Sequence, residues 1–169
     1  MLRQLFTPDW QAATTLAQLP LEQLLERDIR ALVLDVDRTL LPRRQAELPA
    51  SAEHWLRHAR NLVPIHLLSN NPSRQRIGAV ARELDLPFTT AAGKPRRSAL
   101  RRVLQQLNLP AGQVALVGDR LFTDVIAGNR LGLFTVLVRP IDPEGRPCRQ
   151  DRLQRLELRL ARWVGTALG

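Results

Sequence analysis

Long apolar runs are missing from this chain. Of its 169 residues 44% are hydrophobic, yet no stretch approaches the roughly 20 uninterrupted apolar residues that a membrane-spanning helix needs. The first residues lack the charged, apolar and small-residue succession of a secretory signal, so the expected location is the cytoplasm. Cysteine is nearly absent as well: Cys148 is the only one, which excludes an internal disulfide, and PIDPEGRPCRQD around it supplies neither histidine nor a second thiol for a local metal site. Aromatic residues make up 4% of the chain. Trp10, Trp55 and Trp163 are not interleaved with the arginines, so they read as core or edge packing and not as a base-stacking platform. His54, His58 and His66 read as surface or packing residues. Lysine is the scarcest base: of 25 basic residues 24 are arginine, and Lys94 alone is lysine. Repeats, low-complexity tracts and dividing linkers are also missing, which leaves one domain over 1–169 with a lead-in over 1–30 and a C-terminal helix at about 150–166.

The formal net charge is +9, which favours an anionic partner: nucleic acid, an acidic membrane surface or a phosphorylated substrate. Short apolar runs at 31–35, 63–68, 86–89, 114–118 and 133–138 read as strands. Helical patterns at 50–60, 73–84, 95–107 and 123–131 lie between them, two of them opened by Pro49 and Ser51 and by NNPS. Alternation of this kind predicts an α/β fold with a doubly wound, parallel five-stranded sheet. Ligands of such sheets bind beyond the carboxyl ends of the strands.

Polar groups collect at those ends. LVLDVDRTL, residues 32–40, closes its strand with Asp35 and Asp37, two carboxylates that alternation turns into one space. The second strand ends in Ser69 and Asn70, the fourth in Asp119 with Asp124 close behind, and Lys94 follows the third. Singly, each is an ordinary helix cap, turn or strand-ending bend. Together they place three or four carboxylates, a serine and the only lysine at one edge. The donor set is hard and oxygen-rich, too small for a calcium cage and without the histidine or thiolate that zinc favours, so Mg2+ completed by water and phosphate oxygens fits it.

DVDRT, SN, GK and GDRLFTD, in this order, resemble the motifs of the haloacid dehalogenase (HAD) superfamily of aspartate-nucleophile phosphatases. LFTPDW, AGKPRR and VGDRLFTDVIAGNRLGLFTVLV narrow the resemblance to the class III YqeG family, whose relatives include phosphatidylglycerophosphate phosphatases. The resemblance implies a Rossmann-like core, with Asp35 as nucleophile and Asp37 as the acid and then the base. It implies a metal held by Asp35, the backbone carbonyl of Asp37 and Asp119, with Asp124 in support. Ser69, Asn70 and Lys94 would bind the phosphoryl group. Arg38 stands where the family usually has asparagine, and Arg120 where glutamine is frequent.

The intervals between motifs are too short for a cap domain, so the substrate expected is bulky: a phospholipid at an anionic membrane surface, with phosphatidylglycerophosphate implied by the resemblance. A nucleic-acid end with the same chemistry is the alternative, and a non-enzymatic anion- or RNA-binding adaptor the third reading. In QDRLQRLELRLARWV, Leu153, Leu156, Leu160 and Trp163 form one helical stripe and Arg152, Arg155, Arg159 and Arg162 another. The expected arrangement packs the leucines on the sheet and leaves the arginines to solvent, while a helix of this type also suits an anionic bilayer.

Overall fold

Strand sequences such as ALVL and VALVG carry apolar side chains at consecutive positions, the pattern of strands buried on both faces. The structure, a computed structural model, describes residues 2–148, 151–163 and 165–166. Its strands are β1 (Trp10–Gln11), β2 (Ala31–Leu34), β3 (Ile65–Leu68), β4 (Phe88–Thr89), β5 (Val114–Gly118) and β6 (Phe134–Leu137). The helices are α1 (Leu2–Leu5), α2 (Leu21–Glu26), α3 (Ala50–Arg60), α4 (Arg74–Glu83), α5 (Ser98–Leu107), α6 (Ile126–Asn129) and α7 (Arg152–Trp163). All pairings are parallel, in the order β1-β6-β5-β2-β3-β4. The sheet therefore has six strands, not five. Trp10 and Gln11, which the sequence places in the lead-in over 1–30, pair with Val136 and Leu137 at the edge.

Alternation along β2 divides the core. Leu32 and Leu34 join the cluster formed with Leu21 and Leu24 of α2, Trp55 and Leu56 of α3, and Ile77 and Val80 of α4. Ala31 and Val33 face the other way, onto Leu100 and Val103 of α5 and Ala127 of α6. Leu32, Leu34, Leu56, Leu67 and Leu100 are fully buried, each stabilising the fold by about 1.5–3 kcal/mol relative to exposure. Trp55 meets the packing expectation: its indole N–H donates to the Leu19 carbonyl at 2.8 Å. His66, buried on β3, has Nε2 2.9 Å from Thr89 Oγ1 of the neighbouring β4, and burial pulls its pKa down to about 4.

β2 and β5 are neighbours at the centre, joined from Ala31↔Val114 to Leu34↔Val117. Their carboxyl ends therefore bring Asp35 and Asp119 side by side. Between β2 and β3 lie a loop and α3, and between β3 and β4 only α4. Among the described residues no cap domain stands over this edge.

The C-terminal helix differs from the expected arrangement. Of the stretch expected at about 150–166, α7 occupies Arg152–Trp163, while Gln150 and Val164 lie outside the described residues. Its inward face carries Gln154, Glu157 and Ala161, and Ala161 packs with Leu121, Val125 and Leu137. Leu153, Leu156 and Leu160 are 40%, 51% and 46% exposed, and Trp163 is 94% exposed. The leucines are not packed on the sheet, and Trp163 is neither core nor edge packing. The reason is polar: buried hydrogen bonds from Gln154 and Glu157, described below, fix the rotation of the helix.

Candidate active site

Asp35 continues β2, its N–H donating to the Val117 carbonyl at 2.9 Å. The chain then turns sharply, with Arg38 at a φ of 66° and buried Leu40 and Leu41 anchoring the far side. Asp119 follows β5, and a single π-helical turn, Leu121–Val125, leads into α6. The helix expected over 123–131 therefore starts as a π-turn, a local widening often found at functional sites, which carries Asp124 back toward β5. A Cβ on Gly118 would lie 2.3 Å from Asp124 Oδ2, so only glycine lets Asp124 pack there.

Asp35, Asp119 and Asp124 are all buried and each presents an oxygen within 4.8 Å of the others. Thr39 Oγ1 lies 3.3 Å from Asp35 Oδ2 and 3.4 Å from Asp119 Oδ1. Lys94 enters from the opposite side. Its ammonium donates to Asp35 Oδ1 at 2.7 Å, Asp124 Oδ1 at 2.6 Å and the Leu68 carbonyl at 2.8 Å, which uses all three of its protons. Asp124 Oδ2 accepts the Arg120 backbone N–H at 3.2 Å. Asp119 Oδ2 is buried and has no hydrogen-bond partner.

The electrostatics follow from this crowding. Burial, then the nearby charge of Asp124, raises the Asp35 pKa from 3.8 to about 6, against the opposing pull of Lys94. Burial and the charges of Asp35 and Asp124 push Asp119 well above the usual carboxylate range. Burial opposes the charged form of Lys94, but Asp124 and Asp35 together outweigh it and raise its pKa. Two carboxylates, Asp35 and Asp124, thus share one ammonium, and Asp119 is left without a bond to it. An orphaned buried oxygen beside two more carboxylates is the environment a divalent cation relieves, and Asp35 and Asp119 are placed to hold one.

Asp37 stands apart from that cluster. Arg76 Nη1 donates to its Oδ1 at 2.5 Å, and Ser69 Oγ donates to its Oδ2 at 3.3 Å. Ser69 Oγ in turn accepts the Asn71 N–H at 3.0 Å. Asn70 is a clamp on the lysine segment: its Oδ1 accepts the Lys94 N–H at 2.8 Å and its Nδ2 donates to the Lys94 carbonyl at 3.0 Å. Asp35, Asp37, Asn70, Lys94 and Asp119 line one crevice of about 460 Å³, rimmed by Arg38, Arg43, Arg44, Arg76, Arg120 and Leu153. Ser69 is fully buried behind it.

Sequence reasoning missed Arg76, Gln154 and Glu157. Gln154 Nε2 donates to the carbonyls of Asp119 at 2.7 Å and Val138 at 2.9 Å. Glu157 accepts from Arg120 Nε at 2.8 Å and Nη2 at 2.6 Å, and its Oε2 accepts the Leu121 N–H at 2.9 Å. Asp151, ahead of α7, pairs with Arg38 and caps the helix by accepting the Gln154 N–H at 2.5 Å. Arg38 and Arg120, the two departures from the resembled pattern, therefore help to tie the loops after β2 and β5 to α7 and to Asp151 ahead of it.

A family model described as HAD-hydrolase-like matches residues 91–140. The chain is 30% identical over 142 residues to a probable phosphatase, YqeG, of Bacillus subtilis, covering 83% of this chain and 81% of that protein. The chain belongs to the YqeG family of the HAD superfamily. It is thus a phosphatase by family. It is also 32% identical over 95 residues to a chloroplastic phosphatidylglycerophosphate phosphatase of Chlamydomonas reinhardtii, spanning 56% of this chain but 35% of that protein. Among solved structures, a putative 3-deoxy-D-manno-octulosonate 8-phosphate phosphatase from Vibrio cholerae superposes with a TM-score of 0.54 at 16% identity, over 87% of this chain and 92% of that one. This last likeness shows a shared fold, and in this chain the carboxylate cluster sits at the carboxyl ends of the central strands β2 and β5.

A divalent cation held by these carboxylates would have a measurable signature. The raised Asp35 pKa penalises the ionised fold: the penalty is absent below about pH 3.8, grows as pH rises, and is complete above about pH 6. Adding Mg2+ at pH 7.5 is therefore expected to raise the thermal midpoint by about 5–10 °C at 100-fold excess over Kd. The increment should shrink toward pH 5, where Asp35 holds a proton. Scanning calorimetry with and without Mg2+ at the two pH values checks this, and an increment independent of pH removes Asp35 from the cation site.

Proposed function

We propose that this phosphatase is a Mg2+-dependent phosphomonoester hydrolase that passes through an aspartyl-phosphate on Asp35 and acts on phosphatidylglycerophosphate at the cytoplasmic face of a membrane. The observation that carries the chemistry is the floor of the crevice: two aspartates two residues apart just past the end of β2, with Asp35 held by Lys94 and Asp37 held by Arg76. Asp35 attacks phosphorus, the bond to the leaving alcohol oxygen breaks, and Asp37 gives that oxygen a proton. Asp37 then takes a proton from water, whose oxygen attacks phosphorus and breaks the bond to Asp35. Ser69 and Arg76 orient Asp37 for both transfers, and Thr39 steadies Asp35. Lys94 and the arginine rim offset the charge of the phosphoryl group. When bound, a divalent cation between Asp35, the Asp37 carbonyl and Asp119 would offset the remaining charge on the phosphoryl oxygens, with Asp124 in support.

The substrate reading rests on the open crevice, its basic rim and the named activity of the Chlamydomonas reinhardtii relative. The same rim suits a phosphorylated nucleic-acid end, so the two are compared directly. With phosphatidylglycerophosphate dispersed in phosphatidylglycerol vesicles, kcat/KM is expected to exceed that for a 5′-phosphorylated oligonucleotide by at least about 100-fold, near 2.7 kcal/mol of transition-state preference. The opposite preference would transfer the proposal to nucleic-acid ends. Turnover of neither, with tight anion binding, would favour an adaptor.

A further inference from the structure

We infer that the exposed stripe of α7 is a docking face for an anionic lipid bilayer, contiguous with the mouth of the active site. A helix at a protein surface normally buries its apolar stripe. Here Leu156, Leu160 and Trp163 are 51%, 46% and 94% exposed, while buried Gln154 and Glu157 hold the helix to the Asp119 and Leu121 backbone. Rolling the leucines inward would break these bonds and strand Glu157 without Arg120. The exposure is thus built in by buried polar contacts.

Two observations choose the occupant. Arg152, Arg155, Arg159 and Arg162 lie along the stripe and are exposed, which matches an apolar interior beneath a layer of phosphates. A second copy seated on the same face would bring two such rows of arginines together, an arrangement a self-complementary pairing does not favour. Second, Leu153 begins the stripe and also lines the catalytic crevice beside Arg43 and Arg44. A bilayer under the stripe would therefore present its headgroups to the Asp35 crevice. The inference deepens the lipid-phosphatase reading and rests on it only for the direction in which the crevice faces.

The test uses the full chain and vesicles free of any phosphomonoester, made of phosphatidylglycerol and phosphatidylcholine or of phosphatidylcholine alone. Sedimentation should show binding to the first kind, weakened by salt, and a loss of at least about tenfold when Leu156, Leu160 and Trp163 are all replaced by serine. Brominated lipid should quench emission in the wild type and not in Trp163→Phe. Turnover of soluble short-chain phosphatidylglycerophosphate should be unchanged in the triple variant, which also reports that it is folded. Equal vesicle binding by wild type and triple variant, or no quenching assignable to Trp163, overturns the docking face. So does a wild-type dimer that the triple variant dissociates without change in vesicle binding. Failed docking with short-chain turnover intact leaves the proposed function standing; docking without hydrolysis of phosphatidylglycerophosphate fells that function and keeps the face.

Discussion

Asp35→Asn is expected to lower kcat by at least about 10⁴-fold while leaving the fold intact, because an amide oxygen does not attack phosphorus and Asp37, the nearest carboxylate along the chain, is held by Arg76 and Ser69. Structure predicts an unusual companion result. The Asp35 carboxylate is buried against Asp124 and Asp119, and its pKa of about 6 marks it as destabilising when ionised. The asparagine keeps an oxygen for Lys94 and removes one of three competing charges. Its metal-free thermal midpoint at pH 7.5 should therefore equal or exceed that of the wild type, and its response to Mg2+ should fall. Phosphate release and calorimetry on one preparation give both numbers. A kcat within tenfold of wild type, about 1.4 kcal/mol of barrier, would take the nucleophile role from Asp35. Asp37→Asn should fail differently, retaining phosphate covalently on Asp35, and acid-quenched protein that carries none would refute the order of steps.

Lys94→Arg keeps a positive charge and is still expected to cost at least about 100-fold in kcat, near 2.7 kcal/mol. The ammonium reaches three acceptors, Asp35 Oδ1, Asp124 Oδ1 and the Leu68 carbonyl, within 2.6–2.8 Å, and its side chain is 1% exposed. A guanidinium is planar and longer, and it cannot point donors at three partners arranged around a tetrahedral centre. Accommodating it means moving the segment that Asn70 clamps. Removing the charge outright is worse for the fold: Lys94→Met leaves Asp35 and Asp124 buried without their counter-charge, a loss of about 3–5 kcal/mol. Near-normal kcat and KM in Lys94→Arg would show that charge alone matters at this position.

The central strands were legible because β2 and β5 are uninterrupted apolar runs ending in aspartates, and β3, although broken by His66, is apolar otherwise and ends in serine; α3 was legible because proline and a clean helical stripe mark it. β1 was not. Two residues, Trp10 and Gln11, carry no periodicity, and only the edge of β6 makes them a strand. Asp35, Asp37, Lys94 and Asp119 meet at one crevice as their positions at strand ends suggested, whereas the partners of Asp37 and Asp119 were invisible. Arg76 is one arginine among 24, and nothing local distinguishes it. Gln154 and Glu157 were hidden by a stronger signal, the leucine stripe beside them, because periodicity reports that a helix is amphipathic and not which face a buried hydrogen bond will claim.

The strand order carries a consequence for the growing chain. β2 lies between β3 and β5, and the contact that joins Thr39 to Asp119 spans 80 residues. As the polypeptide leaves the ribosome, β2 finds β3 early, but its other edge stays unpaired until β5 has been synthesised. That open edge is the segment most prone to mispairing with another nascent chain. The acidic groups at the ends of β2 and β5 meanwhile stay far apart in the nascent chain and are brought together only as the sheet closes, after Lys94, which neutralises two of them, has been synthesised.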